Sequence, residues 1–330
     1  MNCTTIQRTN MTITEAVEFL ETGGNFTIIC HANPDGDTLG SAYALCGALR
    51  IAGKRARVLC ADKVSPRFDF LKKCLSDGDG VFPPEENETV IAVDVADAAL
   101  FGGYEKEYGG KVDLCIDHHV SNKFYAARTL LDENASATAE IVWELIKRMG
   151  LTPTAEIAAA VYTGISTDTG CFRYSNTTAK SHVITAELMG YGFDMQGINH
   201  VMFDMKTRER VALEKEALNN IKYHFGGRCA VIAVTRDMYE NIDPEDMNGV
   251  SALPRQIEGV DAGLVIKEKG DNIWKASLRT SGRVDAQAVC SKLGGGGHLR
   301  AAGCTLKGDF DAVKSTLLNE IEKQLYNNST

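Results

Sequence analysis

Four short segments of the chain carry closely spaced carboxylates and histidines, the side chains that bind metal ions and transfer protons. In the first, His31, Asp35 and Asp37 fall within one tight turn, HANPDGD. The others are Asp94, the run Asp117-His118-His119, and Asp168. Carboxylate oxygens joined by a few imidazole nitrogens favour a divalent cation such as manganese over a closed zinc site. The sequence therefore predicts chemistry that depends on divalent cations.

Three of these four segments directly follow apolar runs that predict β-strands. We expect strands over 25–31, 89–93 and 111–116, and another over 55–60. Helices are predicted over 12–22, from Thr38 to Gly53, and over 138–150, 153–166, 178–190 and 206–222. Alternating apolar strands and helices predict a parallel sheet covered by helices on both faces. The carboxyl ends of parallel strands share one edge of the sheet, which is where ligand sites form.

Each segment also has a purely structural interpretation. Asp37 could cap the helix that follows it, Asp97 has the position of another helix cap, and Asp168 could belong to a helix C-terminal turn. Taken together, the four segments would place so many carboxylates on one rim that they would repel one another unless cations lay between them. Two cations roughly 3.5–4 Å apart and bridged by a shared carboxylate are a standard arrangement for phosphoryl transfer.

Composition limits the partners and the compartment. The 330 residues are enough for two domains, and the formal net charge of −9 argues against a broad grip on long duplex nucleic acid. The ten cysteines include no C-x-x-C pair, so we interpret them as small buried hydrophobic residues in a reducing cytosol. Residues 1–12 do not resemble a signal peptide, and no run approaches the ~20 apolar residues of a membrane helix. We expect a cytoplasmic protein without a membrane partner.

The C-terminal part has a different pattern of predicted elements, mainly strands, and one glycine-rich run. Strands are predicted over 228–234, 260–267 and 274–279, and a helix over 310–325, which indicates a second α/β domain. The run GGGGH at 294–298 lets the backbone approach a ligand closely and turn N–H groups towards an anion, although a flexible turn would look the same. Several basic residues accompany this run or follow Asp168, and each is a candidate for contact with a phosphate or base: Arg173, Arg279, Arg283, His298 and Arg300.

The order H-x-N-P-D-G-D, a strand-terminal Asp, D-H-H and a later lone Asp resembles the four signatures of the DHH phosphoesterase superfamily. The run GGGGH resembles a motif of the DHH-associated domain, and the resemblance covers roughly residues 12–325. It implies an α/β protein with a Rossmann-like, parallel-sheet DHH catalytic domain over 12–195. A helical linker over 196–222 and a smaller α/β DHH-associated, nucleotide-binding domain over 223–330 would follow. The active site would lie in the interdomain cleft.

The resemblance also implies roles for individual residues around two divalent cations, with manganese favoured. His31, Asp35 and Asp94 would surround one cation, and Asp94 would bridge to the other. His119 would face the substrate phosphate and Asp117 would orient its neighbours, while a hydroxide between the cations is hypothesised to attack phosphorus in line. The second cation would take Asp37, Asp94, His118 and Asp168, and the substrate would contact Arg173, Arg279, Arg283, Gly295, Gly296, Gly297, His298 and Arg300.

In its length and its lack of added regulatory domains, the chain resembles most closely the nano-RNase type of this superfamily. That type hydrolyses oligoribonucleotides of two to five residues to mononucleotides and removes the 3′-phosphate of pAp (3′-phosphoadenosine 5′-phosphate). The alternatives are a cyclic or linear dinucleotide phosphodiesterase, a RecJ-like single-strand exonuclease, an inorganic pyrophosphatase and a non-catalytic nucleotide sensor. The glycine run argues against the pyrophosphatase, and RecJ-like enzymes are typically longer. A homodimer is also suggested by the resemblance.

Overall fold

The chain divides into two compact units between Met205 and Lys206. A computed structural model describes residues 9–75, 88–240, 242, 246–281 and 283–327. The predictions made for residues 1–8 and for Cys3 lie outside the described residues. The division after Met205 places the helix predicted over 206–222 in the second unit.

The first unit is built on a six-stranded sheet in which every pair of neighbouring strands is parallel. Its strand order is β1-β6-β5-β4-β2-β3, so three strands whose ends carry candidate ligands are adjacent. This confirms the predicted parallel-sheet α/β class. The strands are β1 (Thr9–Asn10), β2 (Asn25–Ile29), β3 (Arg55–Leu59), β4 (Thr89–Val93), β5 (Leu114–Asp117) and β6 (Arg128–Leu131).

Helices connect these strands and cover both faces of the sheet. In α1, Thr12 and Glu15 form a reciprocal capping box that defines the N-terminus. Short 3₁₀ turns over Pro66–Cys74 and Ala98–Tyr104 and a π turn over His200–Asp204 complete the unit. The helices are α1 (Ile13–Thr22), α2 (Gly36–Ile51), α3 (Glu105–Tyr108), α4 (Thr138–Arg148), α5 (Ala155–Asp168), α6 (Ala179–Met189) and α7 (Met195–Asn199).

The helix after the HANPDGD turn begins two residues earlier than predicted. It starts at Gly36 rather than Thr38, because the Asp35 side chain accepts hydrogen bonds from the backbone N–H groups of Asp37 and Thr38. Glycine is required at the first position: a Cβ on Gly36 would lie 2.3 Å from Oγ1 of Thr167. The first turn of α2 is therefore pressed against the end of α5.

One apolar cluster fixes the helices that carry functional residues. Trp143 of α4 and Tyr162 of α5 are fully buried, and almost the whole of α2 packs between these helices and the sheet. A smaller cluster around Phe101 and Tyr108 covers the opposite face. Because the strand ends and helix ends are held by these two clusters, the side chains at the carboxyl edge of the sheet have fixed positions.

The second unit contains another six-stranded sheet, of order β11-β12-β10-β9-β8-β7, which is antiparallel except for the pair β8–β9. One face packs on α9 and α10 through a cluster that includes Trp274 and Leu317. The elements are α8 (Arg208–Asn219), β7 (Lys222–His224), β8 (Cys229–Val234), a 3₁₀ turn (Arg236–Met238), a 3₁₀ segment (Asp246–Gln256), β9 (Ala262–Gly270), β10 (Ile273–Thr280), α9 (Ala286–Lys292), β11 (Gly296–His298), β12 (Ala301–Lys307) and α10 (Phe310–Asn327).

Two predictions drawn from composition can be compared with the described residues. Seven of the nine described cysteines are buried, Cys60 and Cys171 are half-buried, and all nine are free thiols. Among the helices that the structure describes, none has both the length and the apolar character that crossing a bilayer requires.

Candidate metal centre

The candidate ligands meet at the carboxyl edge of the first sheet. His31 follows β2, Asp94 follows β4 and Asp117 ends β5, and these strands are neighbours in the order β5-β4-β2. Asp35 caps α2, and Asp168 is the last residue of α5. Residues that are far apart in the chain are thus brought to one place by the parallel register of the strands.

Their ligating atoms form three overlapping groups, in each of which the atoms lie within 4.8 Å of one another. Asp94 belongs to two of the groups and His118 to two, so the three groups are parts of one continuous cluster. The groups are His31, Asp35 and Asp94; Asp94, His118 and His119; and Asp37, His118 and Asp168.

Each of the three imidazoles is oriented by a hydrogen bond from its Nδ1. In His31 and His118 the other nitrogen, Nε2, faces Asp94, whereas in His119 Nδ1 itself lies 3.6 Å from Oδ1 of Asp94. Nδ1 of His31 donates to the carbonyl of Ala32 at 2.8 Å, and Nδ1 of His118 donates to the carbonyl of Ala135 at 3.1 Å. Nδ1 of His119 donates to Oδ1 of Asp117 at 2.8 Å. Metal-bound histidines usually have such a partner on the other ring nitrogen, because it fixes the ring and its tautomer.

The distances inside the cluster are too long for hydrogen bonds. Nε2 of His31 lies 3.8 Å from Oδ2 of Asp94, and Nε2 of His118 lies 3.7 Å from both Oδ1 of Asp94 and Oδ2 of Asp168. Two ligand atoms that each lie about 2.0–2.2 Å from one cation are separated by about 3–4 Å. The observed separations are therefore those of ligands that share a cation, and the donor set fits divalent ions.

Asp37 is the most constrained carboxylate of the cluster. Its Oδ2 accepts the backbone N–H of Thr138 at 2.7 Å, and its Oδ1 accepts the N–H of Ala139 at 3.0 Å and the hydroxyl of Ser41 at 3.2 Å. Asp37 therefore caps α4 rather than α2, the helix to which it belongs. Its Oδ2 also lies 4.0 Å from Nε2 of His118, so the same carboxylate has a structural contact and a position among the candidate ligands.

Asp117 is fully buried and accepts four hydrogen bonds. Its Oδ1 receives Nδ1 of His119 and the backbone N–H groups of His118 and His119, at 2.8, 2.8 and 3.2 Å respectively, and its Oδ2 receives Nδ2 of Asn122 at 2.6 Å. Burial raises the pKa of Asp117, but His119 and Asn122 outweigh it, so the pKa lies below its usual range. The hydrogen bond and charge of Asp117 in turn raise the pKa of His119.

The other carboxylates repel one another strongly when no cation is bound. Burial and the negative charges of Asp37 and Asp35 raise the pKa of Asp94 well above its usual range. Burial and Asp37 raise the pKa of Asp168 to about 7. Asp94 also has a positive φ of 61°, an uncommon backbone conformation for a residue other than glycine. Such groups at one sheet edge indicate a functional site rather than a stabilising one.

We expect the metal-free protein to become less stable as the pH rises from about 5 to 8. His31, His119, Asp94 and Asp168 all have raised pKa values, so the folded chain holds more protons than the unfolded chain in that window, and stability falls with pH. The melting temperature of EDTA-treated protein should fall by several degrees, and Mn²⁺ should restore it at pH 8. A melting temperature that rises with pH in EDTA would contradict this electrostatic description.

The basic residues and glycines predicted to bind substrate in the second unit lie near the β11–β12 turn. Arg279 lies near the end of β10 opposite Ala301, and the Arg300 guanidinium donates to the carbonyl of Ser281 at 2.7 Å. Arg283 lies in the exposed turn after β10. Gly295 precedes β11, which contains Gly296, Gly297 and His298.

Arg173 lies in the first unit, in an unusual turn immediately after α5. Gly170, Cys171 and Phe172 all have positive φ angles of 57–62°. Nε of Arg173 donates to the carbonyl of Gly170 at 2.6 Å, so part of its hydrogen-bonding capacity stabilises this turn. Its expected contact with substrate stays a prediction.

Three residues that contact the cluster were not predicted from the sequence. Thr138 donates its hydroxyl to Oδ1 of Asp94 at 2.9 Å, Asn122 donates to Asp117, and Nδ2 of Asn176 donates to Oδ2 of Asp168 at 3.2 Å. Asn122 follows the DHH run closely enough that its proximity was foreseeable. Thr138 and Asn176 stand in segments whose sequence contains no metal-binding pattern.

Each of the two units matches a known protein family. Residues 25–165 match the DHH family, N-terminal domain, and residues 226–327 match the DHHA1 domain. The bifunctional oligoribonuclease and PAP phosphatase NrnA of Thermus thermophilus is 36% identical over 304 residues, which cover 92% of this chain and 90% of that protein. The probable bifunctional oligoribonuclease and PAP phosphatase NrnA of Streptococcus mutans is 27% identical, over 84% of this chain and 88% of that protein.

A solved structure shows the same fold over nearly the full length. The exopolyphosphatase-related protein of Bacteroides fragilis superposes with a TM-score of 0.81 at 23% identity, covering 94% of this chain and 95% of that one. At this level of identity the likeness concerns the fold alone. The two family matches and the 36% identical relative confirm the predicted resemblance to the DHH superfamily.

Proposed function

We propose, starting from the fact that the chain belongs to the DHH family, that it is a metal-dependent phosphoesterase of short nucleotides. Its substrates would be oligoribonucleotides of two to five residues, cleaved to mononucleotides, and pAp, from which it would remove the 3′-phosphate. The observation that carries the proposal is the cluster of carboxylates and imidazoles whose separations fit shared cations. The names of the two NrnA relatives support the substrate class.

The chain's own residues would hold two divalent cations. His31, Asp35 and Asp94 would hold one of them. A set of ligands made mostly of carboxylate oxygens, with some imidazole nitrogens, favours manganese. When bound, such a pair of cations supplies an activated water and neutralises charge on the reacting phosphate. The second cation would be held by Asp37, Asp94, His118 and Asp168.

His119 is proposed to bind the reacting phosphate. Nδ1 of His119 donates a hydrogen bond to Asp117, which fixes the ring and directs Nε2 away from Asp117. Because Asp117 raises the pKa of His119, the imidazole carries its second proton over a wider pH range. A protonated Nε2 would then donate a charge-assisted hydrogen bond to a phosphoryl oxygen. Asp117 acts through His119 and is a positioning residue in this scheme.

The glycine run and the arginines around it are proposed to bind the part of the substrate that does not react. Gly296 and Gly303 pair across β11 and β12, so no side chain stands on the backbone there. Arg279 directly precedes Thr280, whose N–H donates to the carbonyl of Arg300 at 3.0 Å. Such a surface can accept a phosphate or sugar from a nucleotide.

Replacing Arg279 by alanine should raise KM for the dinucleotide pApA by about tenfold, the loss of one charge-assisted contact of about 1.5 kcal/mol. KM for a generic phosphomonoester such as p-nitrophenyl phosphate should stay unchanged, because that compound has no second nucleotide. Arg236→Ala is the matched control, since Arg236 is an exposed arginine of the same unit beside Glu268. Equal changes of KM for both substrates would contradict a role for Arg279 in nucleotide binding.

The proposal as a whole is tested by comparing substrates with the purified protein and Mn²⁺. Turnover would be measured on pAp, pApA, an RNA pentamer, a 24-residue RNA and cyclic di-AMP. We expect rapid release of mononucleotide or phosphate from the first three substrates and little release from the last two. Preferred cleavage of cyclic di-AMP or of the long RNA would favour the alternative activities, and binding of pAp without hydrolysis would indicate a sensor.

A further inference from the structure

The N-terminus of α4 contacts two of the carboxylates in the cluster. The hydroxyl of Thr138 donates to Oδ1 of Asp94 at 2.9 Å, while its backbone N–H donates to Oδ2 of Asp37 at 2.7 Å. All three residues are almost completely buried. One residue thus makes hydrogen bonds to carboxylates from two different parts of the chain, 44 and 101 positions away.

The two oxygens of Asp94 face different sides of the cluster. Oδ1 lies 3.7 Å from Nε2 of His118 and 3.6 Å from Nδ1 of His119, whereas Oδ2 lies 3.8 Å from Nε2 of His31. The terminal torsion of an aspartate has a broad intrinsic distribution, so a hydrogen bond to one of its oxygens can fix the rotation. The hydrogen bond from Thr138 falls on Oδ1, and it therefore selects the rotation that directs Oδ2 towards His31.

The position of Thr138 is itself well fixed. It is the first residue of α4, and the N-cap residue, Ala137, has no side chain that can cap the helix. The side chain of Asp37, a residue of α2, accepts the free N–H groups of this helix end instead. A threonine inside a helix often bonds to a carbonyl of the preceding turn, but at the first position α4 offers no such carbonyl. Its hydroxyl is therefore directed to Asp94 instead.

We propose that Thr138 is a positioning residue for the metal centre, whose hydroxyl holds the Asp94 carboxylate so that its two oxygens serve two adjacent cation positions. The proposal rests on the proposed function, because it presupposes that cations bind this cluster. It assigns a role to a side chain that is not itself a candidate ligand. Partners of this kind commonly change metal affinity by about 10–100-fold.

The test measures Mn²⁺ binding without substrate, in the full chain, for Thr138→Val and Thr138→Ser. Valine keeps the shape and the backbone N–H but removes the hydroxyl, and serine restores the hydroxyl. We expect Thr138→Val to weaken binding of at least one Mn²⁺ by about 10–100-fold and to diminish the spin-coupled Mn²⁺ pair signal in electron paramagnetic resonance. Thr138→Ser should bind within about twofold of the wild type and retain that signal.

The matched control is Thr185→Val, which removes a buried hydroxyl that donates to the carbonyl of Ser181 in α6. It should leave Mn²⁺ binding unchanged, and the melting temperature of each metal-free variant separates stability from affinity. If Thr138→Val does not fold, Thr138→Ala replaces it in the same comparison with Thr138→Ser.

The outcomes separate this inference from the proposed function. If the wild type binds no Mn²⁺, the proposed function is wrong and the inference falls with it. If the wild type binds Mn²⁺ and removal of the hydroxyl changes neither the affinity nor the spectrum, the role of Thr138 alone is overturned. Equal loss in Thr138→Ser and Thr138→Val would also overturn it, because the hydroxyl would then not be the cause.

Discussion

Replacing Asp94 by asparagine is expected to lower kcat/KM by about a thousandfold or more while leaving the fold intact. A bound cation contributes several kcal/mol of transition-state stabilisation, and each ~1.4 kcal/mol is a factor of ten in rate. Asparagine retains an oxygen that can accept from Thr138, so the local packing survives. Because the carboxylate no longer repels Asp37, the metal-free variant should be more stable than the wild type at pH 8.

The matched control for this variant lies three residues away. Asp97 caps a 3₁₀ turn through the N–H of Ala99 and pairs with Lys123, outside the cluster. Asp97→Asn should therefore retain activity close to that of the wild type. Steady-state hydrolysis of pAp with Mn²⁺ and thermal unfolding in EDTA provide both readouts. If Asp94→Asn remains active, or if it is destabilised without metal, the central position given to Asp94 is wrong.

Replacing Gly295 by alanine should destabilise the second unit by about 1–3 kcal/mol, the usual cost of overpacking. A Cβ at this position would lie 2.2 Å from the carbonyl oxygen of Gly303 and 2.5 Å from Cβ of Cys304, so β12 would have to move. Hydrogen exchange of peptides from β11 and β12, read by mass spectrometry, measures the change as faster local opening.

The glycine run contains its own control. A Cβ on Gly296 meets nothing within 4 Å, so Gly296→Ala should leave hydrogen exchange of the second unit unchanged. If the backbone at this position approaches the substrate, the same variant should raise KM for pApA. Equal destabilisation by both alanines would show that the run is a tightly packed structural turn at Gly296 as well as at Gly295.

The part of the site that lies on strand ends was predictable because its signal is local. β2, β4 and β5 are short apolar runs that stop at His31, Asp94 and Asp117, and the parallel register then brings these positions together. β4 was predicted with both of its ends correct. Two neighbouring strands, β1 and β6, were missed. β1 lies at the edge of the sheet and has only two residues, too few to contain a recognisable period.

The helix contacts of the site were not predictable, because they join residues that are distant in the chain. The prediction placed Asp37 before its helix as a candidate cap, whereas the structure shows Asp35 in that position and Asp37 bound to the start of α4. Nothing in a spacing of 101 residues indicates such a contact. The hydroxyl of Thr138 was likewise unpredictable, since its relation to Asp94 depends on how α4 packs on the sheet.

In the second unit, β11 and β12 were missed for a compositional reason. They contain glycine and alanine in place of the β-branched residues that usually predict strands, as in Ala301, Ala302 and Gly303. β12 pairs with both β10 and β11, and the absence of a side chain at Gly295 lets that residue approach the β12 backbone closely. The same glycines and alanines that made these strands hard to predict are needed for their close packing.

Binding of two cations at this site is tested most directly by the anomalous diffraction of crystals of the protein grown with Mn²⁺, collected at the manganese absorption edge. We expect two peaks at the carboxyl edge of the first sheet, one on each side of Asp94 and roughly 3.5–4 Å apart. One peak would lie beside His31 and Asp35, and the other beside His118 and Asp168. Crystals with no peak at this edge, or with Mn²⁺ bound only elsewhere, would contradict the binding of two cations here.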